Sequence, residues 1–504
     1  MIKYKSTRGD NTLYTFSETI LKGIAQDGGL FVPQEFPHVS KDDLRSLLKK
    51  SYQERADFII NLFQTDFSKE ELKKIINKAY SDNFDAKEIA PLVHFKDNQY
   101  LLELWHGPTA AFKDMALQLM PLFFQEAVEK NKSSNHYLIL AATSGDTGTA
   151  AAEGFKNKEH SSLIVFYPAK RVSQIQELQM ATQEGDNIGV YAVDGGFDAV
   201  QTMVKDIFND KKFDEKLFSK HSTVLSAANS INWGRLIAQI IYHVTSYLEL
   251  VDQNVIQLGN EIDIAVPSGN FGNILAAFYA KKMGLPIRKL VCASNENNAL
   301  AQFLKTGTYD INDKTLIQTP SPAMDILIAS NIERLLHIIT DDSLKVSTWM
   351  NDLKNKKKFT VDNSIKEEIL KYFVADWVSN EDCLENIRRC YDKTGYLMDP
   401  HTSVAQTVVN RYIEKEKSGV PIIISSTAHW AKFPQDVYKA LTNNKEVLGN
   451  EFEIVDQIRA LIPNSSIPYS IDSLRHKPIL HKEHCSSNVS ETEDLILDWL
   501  SQKR

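Results

Sequence analysis

Lys113 lies in the stretch His106 to Met120, HGPTAAFKDMALQLM, after a Gly107–Pro108 turn and before an apolar pattern of helical spacing through Met115, Leu119, Leu122, Phe123 and Ala127. That spacing predicts one helix beginning at or near Lys113. A helix N-terminus carries partial positive charge and disfavours an ammonium, so the amine is expected to be partly deprotonated and nucleophilic toward carbonyl carbon. On this string alone a solvated lysine at a helix start, beside Asp114, is the ordinary reading. The chemistry has to be supplied from elsewhere in the chain.

Two glycine-containing loops supply candidates. SGNFGN, Ser268 to Asn273, combines Gly269 and Gly272, which let the main chain close on a phosphate, with the amide side chains of Asn270 and Asn273. TSGDTG, Thr143 to Gly148, offers the hydroxyls of Thr143, Ser144 and Thr147, whereas Asp146 repels a phosphate placed directly against it. Neither loop has GxGxxG or GxxxxGK[ST] spacing, and each taken singly reads as a tight turn. A phosphate cradle together with an imine-forming lysine is what pyridoxal 5′-phosphate requires.

Two more stretches add partners. In ANSINWGR, Asn229 and Arg235 flank a helix start, where an amide and a guanidinium fork suit a second phosphate; pairing of Arg235 with a carboxylate is the alternative. In SSTAHWAKF, the Thr427 hydroxyl either faces a cofactor ring nitrogen or caps a helix.

The elements that must position these residues follow from hydrophobic periodicity. The first 90 or so residues are expected to be mainly helical, with FSETILKGIA, KDDLRSLLKKSY and KEELKKIINKAY each starting on a cap-type residue. Beyond about Gln99, short apolar runs alternate with amphipathic helices, the pattern of mostly parallel sheets with helical crossovers. HYLILAA, SLIVFYP, IGVYAVDG, STVLSAANS, DIAVPSGNFGN, RKLVCASN and VPIIISSTA are the strand-bearing stretches. The candidate loops follow their strands, where ligands bind in open α/β sheets. The expected units are 1–90, 91–235 and 236–504, with a helical, charged insertion at about 331–389 in which KNKKK is a solvated helix end or loop.

The composition narrows the function classes. The 504 residues carry 57 Lys and Arg against 65 Asp and Glu, a formal net charge of −8, so no global basic field recruits nucleic acid or an anionic membrane. No apolar run of about 18 residues and no signal-type start occurs, which leads to the expectation of a cytoplasmic protein. Cys292, Cys383, Cys390 and Cys485 form no CxxC pair and are expected to be plain thiols, with no metal site.

In order, YKSTRG, DGGLFVP, HGPTAAFKDMALQ, TSGDTG, SAANSINWGR, PSGNFGN, MDPHTSVA and STAHWAKF resemble the motifs of threonine synthase, in its longer fungal and bacterial form. The resemblance runs nearly end to end. It implies a fold-type II, tryptophan synthase β-like, pyridoxal-phosphate enzyme that makes L-threonine and phosphate from O-phospho-L-homoserine and water. By that resemblance Lys113 forms the imine with the cofactor and then serves as base. Gly269, Asn270, Phe271, Gly272 and Asn273 hold the cofactor phosphate, Thr427 bonds the ring nitrogen, and Ser144, Thr147, Asn229 and Arg235 meet the substrate. Asp146 stands where shorter relatives have an asparagine touching the cofactor's 3′-oxygen. A phospholyase acting on O-phosphothreonine and a non-catalytic phosphometabolite-binding protein are the alternatives, and monomer or homodimer is left open.

Overall fold

The computed structural model describes residues 1–443, 445–463 and 465–503. Two sheets organise it. The six-stranded sheet runs in the order Phe373–Trp377, Ile287–Ser294, Ile262–Pro267, Ile422–Ser426, Gln99–Glu103, Leu92–Lys96, and only its last pair is antiparallel. The five-stranded sheet is wholly parallel, in the order His484–Cys485, Ile188–Val193, Ser161–Pro168, His136–Ala142, Thr223–Ser226.

The near-continuous apolar runs read from the sequence are strands covered on both faces. Along Ile262–Pro267, Ile264 and Val266 face one hydrophobic cluster while Ala265 faces another, and along Ile422–Ser426 the same alternation sets Ile423 against Ile422 and Ile424. In the second sheet Ile139 and Ala141 join the cluster that also contains Ile264, and Leu138 and Leu140 point away from it. The helix Trp233–Asp252 runs through that shared core, with most of its side chains buried.

Sheet membership cuts across the expected segments. Leu92–Lys96 and Gln99–Glu103 lie with strands from beyond residue 260, and His484–Cys485 joins the sheet otherwise built from residues 136–226. Nothing local records which distant strand a run pairs with. The stretch 331–389, expected to be helical, also contributes the strands Lys358–Thr360 and Phe373–Trp377, the latter an edge of the six-stranded sheet. Lys354 and Lys356 lie in the last turn of Ser343–Lys356, where Lys356 pairs with Asp352, and Lys358, in the following strand, pairs with Asp310.

The N-terminal segment forms the helices Phe16–Lys22, Lys41–Ser46, Tyr52–Leu62 and Lys69–Ala79, each opened by a complete capping box. KDDLRSLLKKSY is interrupted because Lys49 takes φ 59° and Ser51 starts a new helix. DGGLFVP gives the strand Phe31–Pro33, paired antiparallel with Tyr4–Ser6. Buried Arg55 ties this segment to the far end of the core helix through Glu249 and Asp252. Among the described residues no helix is long and apolar enough to cross a membrane.

Candidate active site

The strands Gln99–Glu103, Ile422–Ser426 and Ile262–Pro267 are parallel neighbours, so the segments leaving their C-terminal ends emerge along one edge. Those segments are HGPTAAFK, TAHWAKF and SGNFGN. The backbone stitches the first two together: Phe112 N donates to Thr427 O at 2.8 Å, and His429 N to Ala110 O at 3.1 Å. Thr143–Gly148 and Ala227–Asn229 leave adjacent strands of the other sheet in the same way.

Lys113 joins the two sheets. Its Nζ lies 3.3 Å from Asp146 Oδ2, and both side chains are buried. The helix that follows it is only four residues long, Asp114–Leu117, and a second helix, Met120–Lys130, carries Pro121 at its start. The single expected helix is therefore two. A prolyl ring has no N–H to donate and restricts the preceding backbone, so the chain is re-aimed there.

The amine is held below its usual range, but not chiefly by a helix end. Burial is the largest cause, Asp146 opposes it, and the positive charges of Lys432 and Arg235 reinforce it. For Asp146 burial works against the charged form, yet Lys432 and Lys113 together outweigh it and hold the carboxyl well below the ordinary carboxylate range. Its partners are close: Lys432 Nζ is 2.9 Å from Oδ1, and Gln176 Nε2 donates to the same oxygen at 2.8 Å.

The turn that carries Asp146 is shaped by Thr143, whose Oγ1 accepts from Gly145 N at 3.0 Å and Gly148 N at 2.9 Å. Gly145 stands at φ 129°, and a Cβ there would meet the Gln176 amide at 2.5 Å. Ser144, Thr147 and Asn229 are half-buried, and their side chains hydrogen-bond to none of the described residues.

SGNFGN opens the helix Gly272–Lys282, with Phe271 at φ 64°. Its first amides have no intrahelical acceptor. A Cβ on Gly269 would meet Ala323 O at 2.8 Å, so only glycine fits there without displacement. Asn331, fully buried, donates from its N and Nδ2 to Asn270 O, each at 3.1 Å, and from Nδ2 to Ser230 O at 3.3 Å, which fastens SGNFGN to the segment leading into Arg235. Ser330 Oγ donates to Asn270 Oδ1 at 2.9 Å. Asn273 Oδ1 accepts from His243 Nε2 at 2.9 Å, while its Nδ2 is buried without a partner among the described residues.

Arg235 is 3% exposed. Its Nη1 donates to Ala228 O at 3.3 Å, and among the described residues its Nε has no partner and no carboxylate pairs with it. Burial pushes it down to about 10. A buried, incompletely bonded guanidinium is costly unless an anion completes it. Thr427, 6% exposed, caps no helix; His429 caps the following short turn instead, its Nδ1 accepting from Ala431 N at 3.2 Å.

Several residues at this edge escaped the sequence reading. Lys432 sits inside STAHWAKF and Gln176 in the helix Gln174–Ala181. His401, in MDPHTSVA, bonds Asp399 through Nδ1 at 2.7 Å and accepts Ala323 N at 3.2 Å, bracing the backbone that faces Gly269. The quoted motifs contain Lys432 and His401, so motif membership was the available signal. Gln176 and Asn331 had none.

Three family models match in order: "Threonine synthase N terminus" over residues 3–80, "Pyridoxal-phosphate dependent enzyme" over 87–425, and "Threonine synthase, C-terminal" over 402–461. The chain is 42% identical over 459 residues to human threonine synthase-like 1, an alignment covering 89% of this chain and 61% of that protein. It thus spans about three fifths of that longer relative. It is 38% identical over 497 residues to threonine synthase of Schizosaccharomyces pombe, covering 92% of this chain and 95% of the relative. The crystal structure of threonine synthase from yeast superposes with a TM-score of 0.88 at 37% identity, over 99% of each chain. With three models in register and full-length similarity in both sequence and fold, the chain belongs to the threonine synthase family of pyridoxal-phosphate-dependent enzymes.

Proposed function

We propose that this chain converts O-phospho-L-homoserine and water into L-threonine and phosphate, by γ-elimination followed by hydration at Cβ. The observation that carries the reading is the buried amine of Lys113, held below its usual range on the same edge as a buried Arg235 whose Nε is unbonded and which pairs with no carboxylate among the described residues.

The residues present fit pyridoxal phosphate. Gly269 has no room for a side chain, the unbonded Asn273 Nδ2 is a spare donor, and the first amides of Gly272–Lys282 offer an anion cradle. Gly269, Asn270, Phe271, Gly272 and Asn273 would hold the phosphate, Thr427 the ring nitrogen, and Lys113 the reactive carbon. When bound, the cofactor supplies an amine-accepting carbonyl and a conjugated ring that delocalises the electron pair left at the substrate's Cα.

The chain's own residues do the rest. Arg235, with Asn229, Ser144 and Thr147, grips the substrate phosphate and fixes the direction of the scissile Cγ–O bond. Lys113, which would hold the cofactor's reactive carbon, would also serve as the general base that takes the substrate's Cα proton. Loss of a Cβ proton expels phosphate from Cγ toward the waiting guanidinium. A proton then returns to Cγ, which makes Cβ electrophilic, water adds at Cβ, and a proton returns to Cα. Thr427 offers a hydroxyl rather than a carboxylate, and would leave the ring nitrogen of a bound cofactor largely unprotonated.

The test is incubation of the cofactor-loaded chain with O-phospho-L-homoserine, with L-threonine and phosphate expected in equal amounts. Production of 2-oxobutyrate instead would favour the phospholyase reading. Phosphate binding without turnover would favour a binding protein.

A further inference from the structure

Two lysines share one buried carboxylate, and they hold it unequally. Lys432 Nζ lies 2.9 Å from Asp146 Oδ1 and also donates to Thr109 O at 2.8 Å. Gln176 Nε2 donates to the same Oδ1 at 2.8 Å. Lys113 meets only Oδ2, at the longer distance of 3.3 Å. Lys432 is fully buried in the short turn Trp430–Lys432, with two acceptors fixing its ammonium. Lys113 has one.

We infer that Lys432 is a positioning residue: by engaging Oδ1 it keeps Asp146 a fixed, ionised carboxylate whether or not Lys113 stays beside it, so that Lys113 is free to leave the pair. The inference rests on the reading of Lys113 as the cofactor-bearing amine. A lysine that changes partner cannot be the permanent counter-ion of a buried acid, because a buried carboxylate left without a cation takes up a proton. Lys432 supplies a counter-ion that does not move.

The other charged and titratable groups nearby do not replace it. Arg235 acts on Lys113 from across the site, and His401 reaches Asp146 only through space. Asp114, next in sequence to Lys113, is occupied by Thr109, whose N and Oγ1 donate to its two oxygens at 2.9 and 2.7 Å. His429, on the same turn as Lys432, is pushed down to about 3 by burial and by the charges of His106 and Lys432, so it stays uncharged near neutrality.

The test is a pH titration of the visible absorbance of the cofactor-loaded full-length chain. Lys432→Met is expected to add a transition between about pH 5 and 8 that the wild type lacks, as the Asp146 carboxyl rises into the range of buried acids. Lys432→Arg is expected to remove that transition, and so is Asp146→Asn placed in the Lys432→Met background. A Lys432→Met profile that superimposes on the wild type would overturn the inference. If Lys432→Met does not accumulate as folded protein, the Lys432→Met/Asp146→Asn pair must do so in the presence of cofactor, since it removes the buried carboxylate together with its cation and the cofactor engages Lys113; failure of both means that Lys432 serves Thr109 and the fold instead. Lys113→Ala separates the two levels. If that variant keeps the cofactor's visible band, the reading of Lys113 fails; if it loses the band while Lys432→Met titrates as wild type, only the role given to Lys432 fails.

Discussion

Arg235 shows most clearly what a residue of the candidate site costs its protein. It is buried, and among the described residues it has one long hydrogen bond and an unbonded Nε, so it is a cation that the chain's own groups do not fully satisfy. Arg235→Met keeps the aliphatic bulk and removes the charge, and is expected to leave the ligand-free protein as stable as the wild type or more stable by about 1 kcal/mol. The same change should raise KM for O-phospho-L-homoserine at least tenfold, with cofactor affinity little altered. Thermal melting and steady-state kinetics check the two halves, and equal losses of substrate and cofactor binding would place Arg235 elsewhere. Lys113→Ala is expected to abolish the visible cofactor band and turnover together, as read by absorbance and product assay. Lys113 and Arg235 were legible in the sequence because each sits beside a glycine or a helix start that marks the end of an element. Lys432 was not, because its significance lies in Thr109 and Asp146, and Thr109 is 323 residues away in the chain.

At the scale of elements, the contact between Lys113 and Asp146 depends on how closely two helices approach. Asp146 begins the helix Asp146–Phe155, and Lys113 directly precedes Asp114–Leu117. Gly154, eight residues along from Asp146, faces the end of the Lys113 helix so closely that a Cβ on it would fall 1.9 Å from Leu117 O. The clash is with backbone and cannot be relieved by a rotamer. Gly154→Ala is therefore expected to destabilise the chain by about 3 kcal/mol, and to perturb the cofactor spectrum by separating Lys113 from Asp146. Denaturant unfolding and absorbance measure these effects, and a variant of wild-type stability would show that the helices do not set the site. Gly269→Ala tests the other wall: with Ala323 O at 2.8 Å from the new Cβ, cofactor phosphate affinity should fall at least tenfold in a titration. The sequence announced these helices and loops through periodicity and glycine spacing. It gave no sign that the Lys113 helix breaks after one turn, since the apolar pattern continues unbroken across Pro121. Nor did it tell which glycines are contacts and which are turns, because Gly154 in the pattern AAEGF looks like an ordinary weak point in a helix.

At the scale of the whole molecule, parallel strands had already announced themselves as apolar runs, but their order across two sheets is a long-range property that local spacing does not encode. His106 sits where three distant parts of the chain meet. Its Nδ1 is 2.5 Å from Asp85, at the end of the N-terminal segment, and its Nε2 is 3.0 Å from Glu103, at the end of a strand of the six-stranded sheet. Tyr396 donates to the other oxygen of Glu103 at 2.8 Å, and Asp85 N donates to His106 O at 2.9 Å. Burial disfavours the imidazolium, but the two carboxylates outweigh it and raise His106 from 6.5 to about 9. A group whose value is raised on folding contributes stability that is fully present below its unfolded value and is lost as pH climbs through the folded one. The window here is about pH 6.5 to 9. The full shift corresponds to about 3 kcal/mol, and screening at half-exposed Asp85 reduces the expected contribution to about 1–2 kcal/mol. The stability difference between wild type and His106→Gln should therefore be largest at pH 6 and shrink steadily toward pH 9.5 in denaturant unfolding. A difference that stays constant across that range would mean that His106 joins the N-terminal segment to the sheet by packing against Trp105, whose ring it stacks on at 4.1 Å, rather than by charge.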